Sequence, residues 1–142
     1  MQEAKSLTHP VDQHTLTTRQ LAAQGLIWLE DQAHCERWHL SRQDISGLLG
    51  GVDLHVHEQW LAEARAGGTP DVPQDVRERL AILLKIDCLL AMAAPAEYRY
   101  LAFNLPTTPH SLFGGESIRS YLIRQPHLSG LHYVQRYLHS CR

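Results

Sequence analysis

The chain has 142 residues, of which 44% are hydrophobic and 20% charged, and a formal net charge of −2 at pH 7. This length suits one ordinary domain or two very small units with a shared core, and the composition excludes collagen-like and disordered proteins. No stretch approaches the roughly 18–20 consecutive apolar residues of a membrane helix. Residues 1–10 lack the apolar run of a secretory signal, so we expect a cytoplasmic protein.

Charge is distributed unevenly along the chain. Residues 1–70 carry five Lys or Arg against nine Asp or Glu, whereas residues 71–142 carry eight against six. The formal charges of the two halves are therefore −4 and +2. The acidic first half disfavours strong nucleic-acid binding, because attraction to phosphate supplies most of the non-specific affinity.

The first predicted helix follows a polar tail. Residues 1–14 show no apolar periodicity, and we expect them to form a flexible tail. Thr17 and Gln20 fit a capping box, in which the hydroxyl accepts from a backbone N–H and the amide reaches back to the cap residue. The sequence therefore predicts a long helix from Thr17 to about residue 38.

A helix-turn-helix pattern comes next. Ser41 and Asp44 form a second capping signature, which opens a short helix. Gly50-Gly51 ends that helix because glycine accepts a positive φ, and a further helix is predicted over residues 53–66. These dimensions fit a DNA-binding helix-turn-helix and equally a helical hairpin that only packs, so both interpretations stay open.

The second helix of this unit would present DNA with a face of mixed charge. Gln59 could read adenine and His55 could donate to a base, but Glu58 and Glu63 share the outward face and would meet phosphates. DNA binding by the protein alone is therefore expected to be weak. The candidate DNA-binding residues are Arg42, His55, Gln59 and Arg65.

Gly67-Gly68-Thr69-Pro70 predicts a linker between two units, a helix-turn-helix-like domain over residues 15–68 and a helical partner-binding domain over residues 71–142. Pro73 suits the first turn of a central core helix that is apolar on nearly every side and runs to about residue 94. No segment alternates with a period of two for long, so the predicted fold class is all-α. The remaining elements are short helices over residues 95–103, 116–124 and 126–140 and an irregular loop over residues 104–115.

Signals of metal binding and catalysis are weak. His55 and His57 point about 200° apart around a helix, so they cannot share an ion, and we expect His57 to face inward and His55 outward. Three separated cysteines, Cys35, Cys88 and Cys141, are typical of reduced thiols. The sequence contains no phosphate-binding loop, nucleophile elbow or His-Glu-x-x-His motif, so we expect no enzyme, no metal and no cofactor.

Asp87 is a carboxylate on an otherwise apolar helical arc with Leu80, Leu83 and Leu90. A buried carboxylate must have a partner or a raised pKa. We expect an arginine of the C-terminal half to pair with it, and Arg119 is the candidate. An enzyme that uses Asp87 or the histidines ranks last among the hypotheses.

The C-terminal third is rich in tyrosine and arginine. All five tyrosines and both phenylalanines lie after residue 97, with five arginines and no lysine. Tyr and Arg are enriched at protein interfaces and Lys is depleted there. Leu128, Leu131, Val134 and Leu138 recur at helical spacing and should pack in the core. The interface candidates from this pattern are Arg119, Tyr133, Arg136 and Tyr137.

Several short motifs occur in order over residues 40–140. They are residues 40–50, His57-Glu58-Gln59-Trp60, Arg79-Leu80-Ala81-Ile82-Leu83-Leu84, Tyr100-Leu101 through Asn104, Phe113-Gly114-Gly115-Glu116-Ser117 and Gly130-Leu131. In this order and spacing the chain resembles the Xre/MbcA/ParS-type antitoxins, which join an N-terminal helix-turn-helix to a C-terminal toxin-binding domain. It departs from them in Tyr100-Leu101, where the family usually has Trp-Leu, and in the absence of the usual basic residues from the recognition helix.

The resemblance implies a protein that neutralises a cognate toxin, often a RES-domain enzyme that degrades NAD. In the family the C-terminal domain occludes the pocket of the toxin, and the assembly represses its own promoter. The missing basic residues put autorepression in doubt more than toxin binding. The toxin-binding residues carried over by the resemblance are Asn104, Phe113, Gly114, Gly115 and Ser117, with the final helix from Gly130.

Our hypothesis from the sequence is an antitoxin-like adaptor, homodimeric and without a membrane partner, whose C-terminal half binds an acidic surface of a toxin. The alternative is a stand-alone DNA-binding transcriptional regulator with a helical dimerisation domain. It predicts binding to the DNA upstream of its own gene that weakens steeply with salt and needs no partner.

Overall fold

The computed structural model describes residues 10–34, 36–95, 98–105 and 113–140. Every regular element in these ranges is an α-helix, so the predicted all-α class is confirmed. Among the same residues no helix combines the length and the apolarity that crossing a membrane requires. The helices are α1 (Pro10–Gln32), α2 (Arg42–Leu48), α3 (Leu54–Arg65), α4 (Gln74–Ala93), α5 (Arg99–Asn104), α6 (Ile118–Arg124) and α7 (Leu128–Ser140).

The first helix differs from the prediction at both ends. α1 begins at Pro10 rather than at Thr17, so residues 10–14 are helical and do not belong to a tail, while residues 1–9 lie outside the described ranges. Proline suits a first helical turn because its missing N–H would have no partner there. α1 also ends at Gln32, well before residue 38. The chain turns here so that the side chain of Trp38 can enter the core, where it is fully buried.

Local caps begin the next two helices, and the capping box and the glycine turn of α2 are as predicted. The Ser41 hydroxyl accepts from the backbone N–H of Asp44 at 3.1 Å, and the Asp44 carboxylate accepts from the N–H of Ser41 at 2.9 Å. Gly50 and Gly51 follow α2 with φ values of 97° and 86°. The Asp53 carboxylate then caps α3 by accepting from the backbone N–H of His55 at 2.8 Å.

The core is a single cluster of buried apolar side chains drawn from both predicted units. The central helix α4 supplies seven of these apolar residues as well as the buried Arg79, and it packs against α1, α5 and α7. The predicted inward stripe of α7 is confirmed for Leu131, Val134 and Leu138, which are all buried. The division into two domains stays a prediction, and the two segments on either side of residues 67–70 share this core.

A buried arginine connects the two segments. Arg79 of α4 is only 9% exposed. Its terminal nitrogen donates to the carbonyl oxygens of Pro126 at 2.6 Å and of Leu48 at 3.3 Å, and its Nε donates to the Asp75 carboxylate at 3.2 Å. The guanidinium therefore holds the end of α2 and the turn between α6 and α7 against α4.

We predict that Arg79→Met lowers the free energy of unfolding by about 3 kcal/mol, because hydrogen bonds from a charged donor contribute roughly 1.5–3 kcal/mol each and two carbonyls lose their donor. Urea unfolding followed by circular dichroism measures the change. The control is Lys85→Met, an exposed position on the same helix, which should stay within about 0.5 kcal/mol of the wild type. Equal stability of the two variants would contradict the role of Arg79.

We predict opposite effects of alanine at two helical glycines. A Cβ on Gly130 would overlap the carbonyl oxygen of Gln125, so Gly130→Ala should destabilise the protein by about 1–3 kcal/mol. A Cβ on Gly47 would lie 3.9 Å from Pro126, an ordinary contact, so Gly47→Ala should be neutral or gain about 0.5–1 kcal/mol of helix propensity. Thermal unfolding of the pair distinguishes these outcomes, and a tolerated Gly130→Ala would refute the close approach.

Candidate functional site

An open cleft lies between the α1–α2 connection, α5 and the start of α6. It encloses about 510 Å³, which is within the range of roughly 300–1,000 Å³ that is usual for binding pockets. Its wall combines cationic, amide, phenol and apolar groups. The lining residues are Glu36, Arg37, His39, Tyr100, Leu101, Asn104 and Arg119.

Two side chains hold the α1–α2 connection against the other walls of the cleft. The Asn104 amide donates to the carbonyl oxygens of Arg37 at 2.6 Å and of Tyr100 at 2.8 Å. Arg119 donates through Nε to the carbonyl oxygen of His39 at 2.7 Å. His39 itself has a φ of 55°, a conformation that non-glycine residues rarely adopt. These bonds keep Arg37 and His39 at the edge of the cleft.

The predicted site residues Asn104 and Arg119 thus meet in this cleft. Arg37 and His39 were missed as site residues because the predicted first helix included Arg37 and ended next to His39, at about residue 38. The Gly-free sequence of residues 33–41 contains no turn signal that would have revealed the connection. Leu101 was part of a quoted motif, but nothing in its spacing indicated that it would be exposed.

Large apolar side chains stand exposed on one side of α5. Tyr98, Leu101 and Leu105 are 52%, 47% and 54% exposed. They are spaced at i, i+3 and i+7, which places them on one face of the helix and its two cap positions. We call these three residues the α5 strip. Because Leu101 also lines the cleft, the strip and the cleft form one continuous surface.

Asp87 is confirmed as a largely buried carboxylate, with its side chain 13% exposed. Burial raises its pKa, while the charge of Arg99, a hydrogen bond from Trp28 and the charge of Arg37 act in the opposite direction. The Arg99 guanidinium lies 3.8 Å from one carboxylate oxygen, and the Gln32 amide donates to the other at 3.3 Å.

An arginine of the C-terminal half does pair with Asp87, as predicted, but it is Arg99, and the choice of Arg119 was wrong. α5 packs directly on α4, so Arg99 reaches the carboxylate, whereas Arg119 is engaged at His39. The same Arg99 guanidinium donates to the hydroxyl of Tyr100 at 2.6 Å. Asp87 therefore helps to position the α5 wall of the cleft and is not itself among the lining residues.

Most of the C-terminal aromatic residues pack on one another within the chain. Phe113 is buried, and its ring lies 5.1 Å from that of Tyr121, 5.8 Å from Tyr133 and 4.7 Å from Tyr137, in edge-to-face geometry. The three tyrosines are half-buried. This packing gives the clustering of the tyrosines a reason within the chain, and their half-buried rings keep part of their surface exposed. The assignment of Tyr133 and Tyr137 to toxin binding stays a prediction.

The other residues carried over from the antitoxins have local structural roles. Gly114 and Gly115 form a turn with φ values of 62° and 93°. The Ser117 hydroxyl caps α6 by accepting from the backbone N–H of Ser120 at 3.0 Å. These three residues do not line the cleft. Arg136 does not line it either and is exposed on α7.

The candidate DNA-binding residues fall into two groups. His55 and Gln59 are exposed on α3, with their ring and amide nitrogens 3.4 Å apart, and exposed Glu58 and Glu63 lie on the same helix. Arg42 and Arg65 instead line a second cavity, of about 580 Å³, together with the acidic residues Glu30 and Asp31. Arg42 lies 3.8 Å from the carboxylate of Glu30.

His57 faces inward and His55 outward, as predicted, since His57 is 2% exposed and His55 is exposed. Burial lowers the pKa of His57. The charges of Glu30 and Glu58 oppose this shift and that of Arg42 reinforces it. In the described ranges, no three His, Cys, Asp or Glu side chains come together as a metal site. Cys35 and Cys141 lie outside those ranges, and Cys88 is an exposed free thiol.

Comparison of the chain with protein-family models, with curated proteins and with solved structures found no match. The resemblance to antitoxins therefore depends on the order of the short motifs alone.

We predict that His57 lowers the free energy of unfolding at acidic pH. Because burial lowers its pKa in the folded chain, the unfolded chain binds the proton first, and the free energy of unfolding decreases as the pH drops below about 6.5. His57→Gln should remove this part of the pH dependence in urea unfolding measured between about pH 7.5 and 5.5. The control His55→Gln, on the exposed face, should keep the wild-type slope. A variant of His57 with an unchanged slope would contradict the assignment.

Proposed function

We propose that this chain is an antitoxin-like protein that binds a partner protein through the α5 strip and the adjoining cleft. The observation that carries the proposal is the exposure of Tyr98, Leu101 and Leu105 side by side. Burying a large apolar side chain contributes about 1.5–3 kcal/mol, so a chain gains by covering such a strip. Exposed apolar surface rimmed by polar groups is typical of protein-binding sites.

The resemblance supplies the class of partner, a toxin of the kind that such antitoxins neutralise, with a RES-domain enzyme that degrades NAD as the leading candidate. Two observations support this identification. Asn104, which the resemblance carries over as a toxin-binding residue, lies on the proposed surface, whereas Gly114, Gly115 and Ser117 do not line the cleft. The cleft also brings two arginines, Arg37 and Arg119, beside the apolar strip, which suits an amphipathic protein surface.

The second candidate is a DNA-binding regulator that uses α2 and α3 as a helix-turn-helix. It is favoured by the capped α2, the glycine turn and the exposed outer face of α3. Against it, Glu58 and Glu63 lie exposed near His55 and Gln59 and would repel phosphate. We therefore propose that contact with operator DNA is weak unless a partner, or a second copy in a homodimer, adds to it.

The proposal predicts that the product of the gene adjacent to its own forms a complex with this protein. In size-exclusion chromatography the mixture should elute as one peak, earlier than either component. The double variant Leu101→Ser with Leu105→Ser should bind the partner at least about tenfold more weakly, because two leucine side chains that the partner would bury in the complex are lost. Fluorescence anisotropy or calorimetry measures the affinity.

The matched control for this experiment is Leu21→Ser on α1. Leu21 is 59% exposed, as much as the residues of the α5 strip, but lies outside it. Its replacement should leave the affinity unchanged. Two separate peaks from the wild-type mixture, or equal affinities of the double variant and the wild type, would overturn the proposed function.

A further inference from the structure

The cleft beside the α5 strip presents hydrogen-bond donors that the chain does not use. Arg119 uses only its Nε to donate to the carbonyl oxygen of His39. The hydrogen bond from Asn104 is accepted by the backbone oxygen of Arg37 and does not involve the Arg37 side chain. Within the part of the chain that the structure describes, no acceptor is bonded to the terminal nitrogens of Arg119 or to the guanidinium of Arg37. Both residues line the same open cavity.

The residues that line the cleft carry more positive than negative formal charge, with two arginines against one carboxylate. Glu36 is the single acidic residue among those that line the cleft. Outside the cleft, the charge of Arg37 also acts on Asp87, and Arg37 lines the second cavity with Glu30 and Asp31. From residue 98 onward the chain carries five arginines and one acidic residue, Glu116, and that carboxylate is paired with Arg124. The Tyr100 hydroxyl accepts from Arg99, so its own hydrogen remains available to an acceptor in the cleft.

We propose that this cleft binds a carboxylate of the partner protein, an Asp or Glu side chain whose apolar neighbour rests on the α5 strip. The inference deepens the proposed function and rests on it. A guanidinium offers parallel N–H donors that match the two oxygens of a carboxylate. The leucines at the rim favour a protein over a nucleic acid, because a phosphate backbone has no apolar group to cover them.

The experiment uses the full chain, labelled with ¹⁵N, and two capped peptides. One peptide contains leucine and glutamate separated by glycine, and the other has glutamine in place of each glutamate. The glutamate peptide should shift the side-chain Nε–H resonance of Arg119 and the backbone resonance of Leu101, and it should bind about tenfold more tightly than the glutamine peptide. Inorganic phosphate provides a third titration.

Arg37→Gln should weaken binding of the glutamate peptide about tenfold, because Arg37 is exposed and its backbone, which accepts from Asn104, is kept. Lys85→Gln removes one positive charge from the exposed face of α4 and should change nothing. Equal binding of the two peptides, or resonance shifts confined to other helices, would overturn the carboxylate site. Tighter binding of inorganic phosphate than of the glutamate peptide would also overturn it, in favour of a general anion site.

The two proposals can fail separately. If the double leucine variant loses the partner while the peptides bind equally, the α5 strip is the docking surface and the carboxylate site is wrong. If the glutamate peptide binds as expected while the leucine variant retains the partner, the carboxylate site stands and the proposed docking of that partner on α5 is wrong.

Discussion

The fold depends on one buried cation. Arg79 of α4 is buried and donates to a carbonyl at the end of α2 and to another in the turn between α6 and α7. A buried guanidinium is stable only when acceptors surround it, and buried carbonyls are stable only when donors reach them. Each group thus satisfies the other. The pairing connects the end of α2 and the turn between α6 and α7 to α4, and these helices also share the single apolar core.

A second constraint creates the candidate site. Trp38 is fully buried, stacks on Phe103 at 4.3 Å and meets Trp28 edge to face at 5.4 Å. Because the Trp38 ring enters the core, α1 ends before it. The backbone of Arg37 and His39, on either side of Trp38, then lies next to α5 and α6. Asn104 and Arg119 can then reach the carbonyls of Arg37 and His39. The cleft therefore depends on this aromatic packing. Arg37 precedes Trp38 in the chain, and Arg119 bonds to the carbonyl of His39, which follows it.

Composition indicates a part of the chain but not which of its residues are exposed. Tyrosines and arginines in one third of the chain suggested a docking surface, yet Tyr121, Tyr133 and Tyr137 pack on Phe113, and Arg99 and Arg124 are held by Asp87 and Glu116. Aromatic rings gain from edge-to-face contacts inside a chain just as they do between chains. In the same third of the chain, Tyr98, Leu101 and Leu105 stay exposed on α5, a helix too short for its pattern to indicate which side faces water.

The sequence by itself determined the features that depend on neighbours a few residues apart. The Ser41–Asp44 capping box, the turn at Gly50-Gly51, the inward His57 and the apolar stripe of α7 were all predictable, because hydrogen bonds and helical periodicity act over one or two turns. Only the tertiary structure decided that Arg99 rather than Arg119 pairs with Asp87, that α1 ends before Trp38, and that Arg37 and Arg119 share a cleft. These outcomes depend on which helices lie side by side, and residue spacing along the chain does not contain that information.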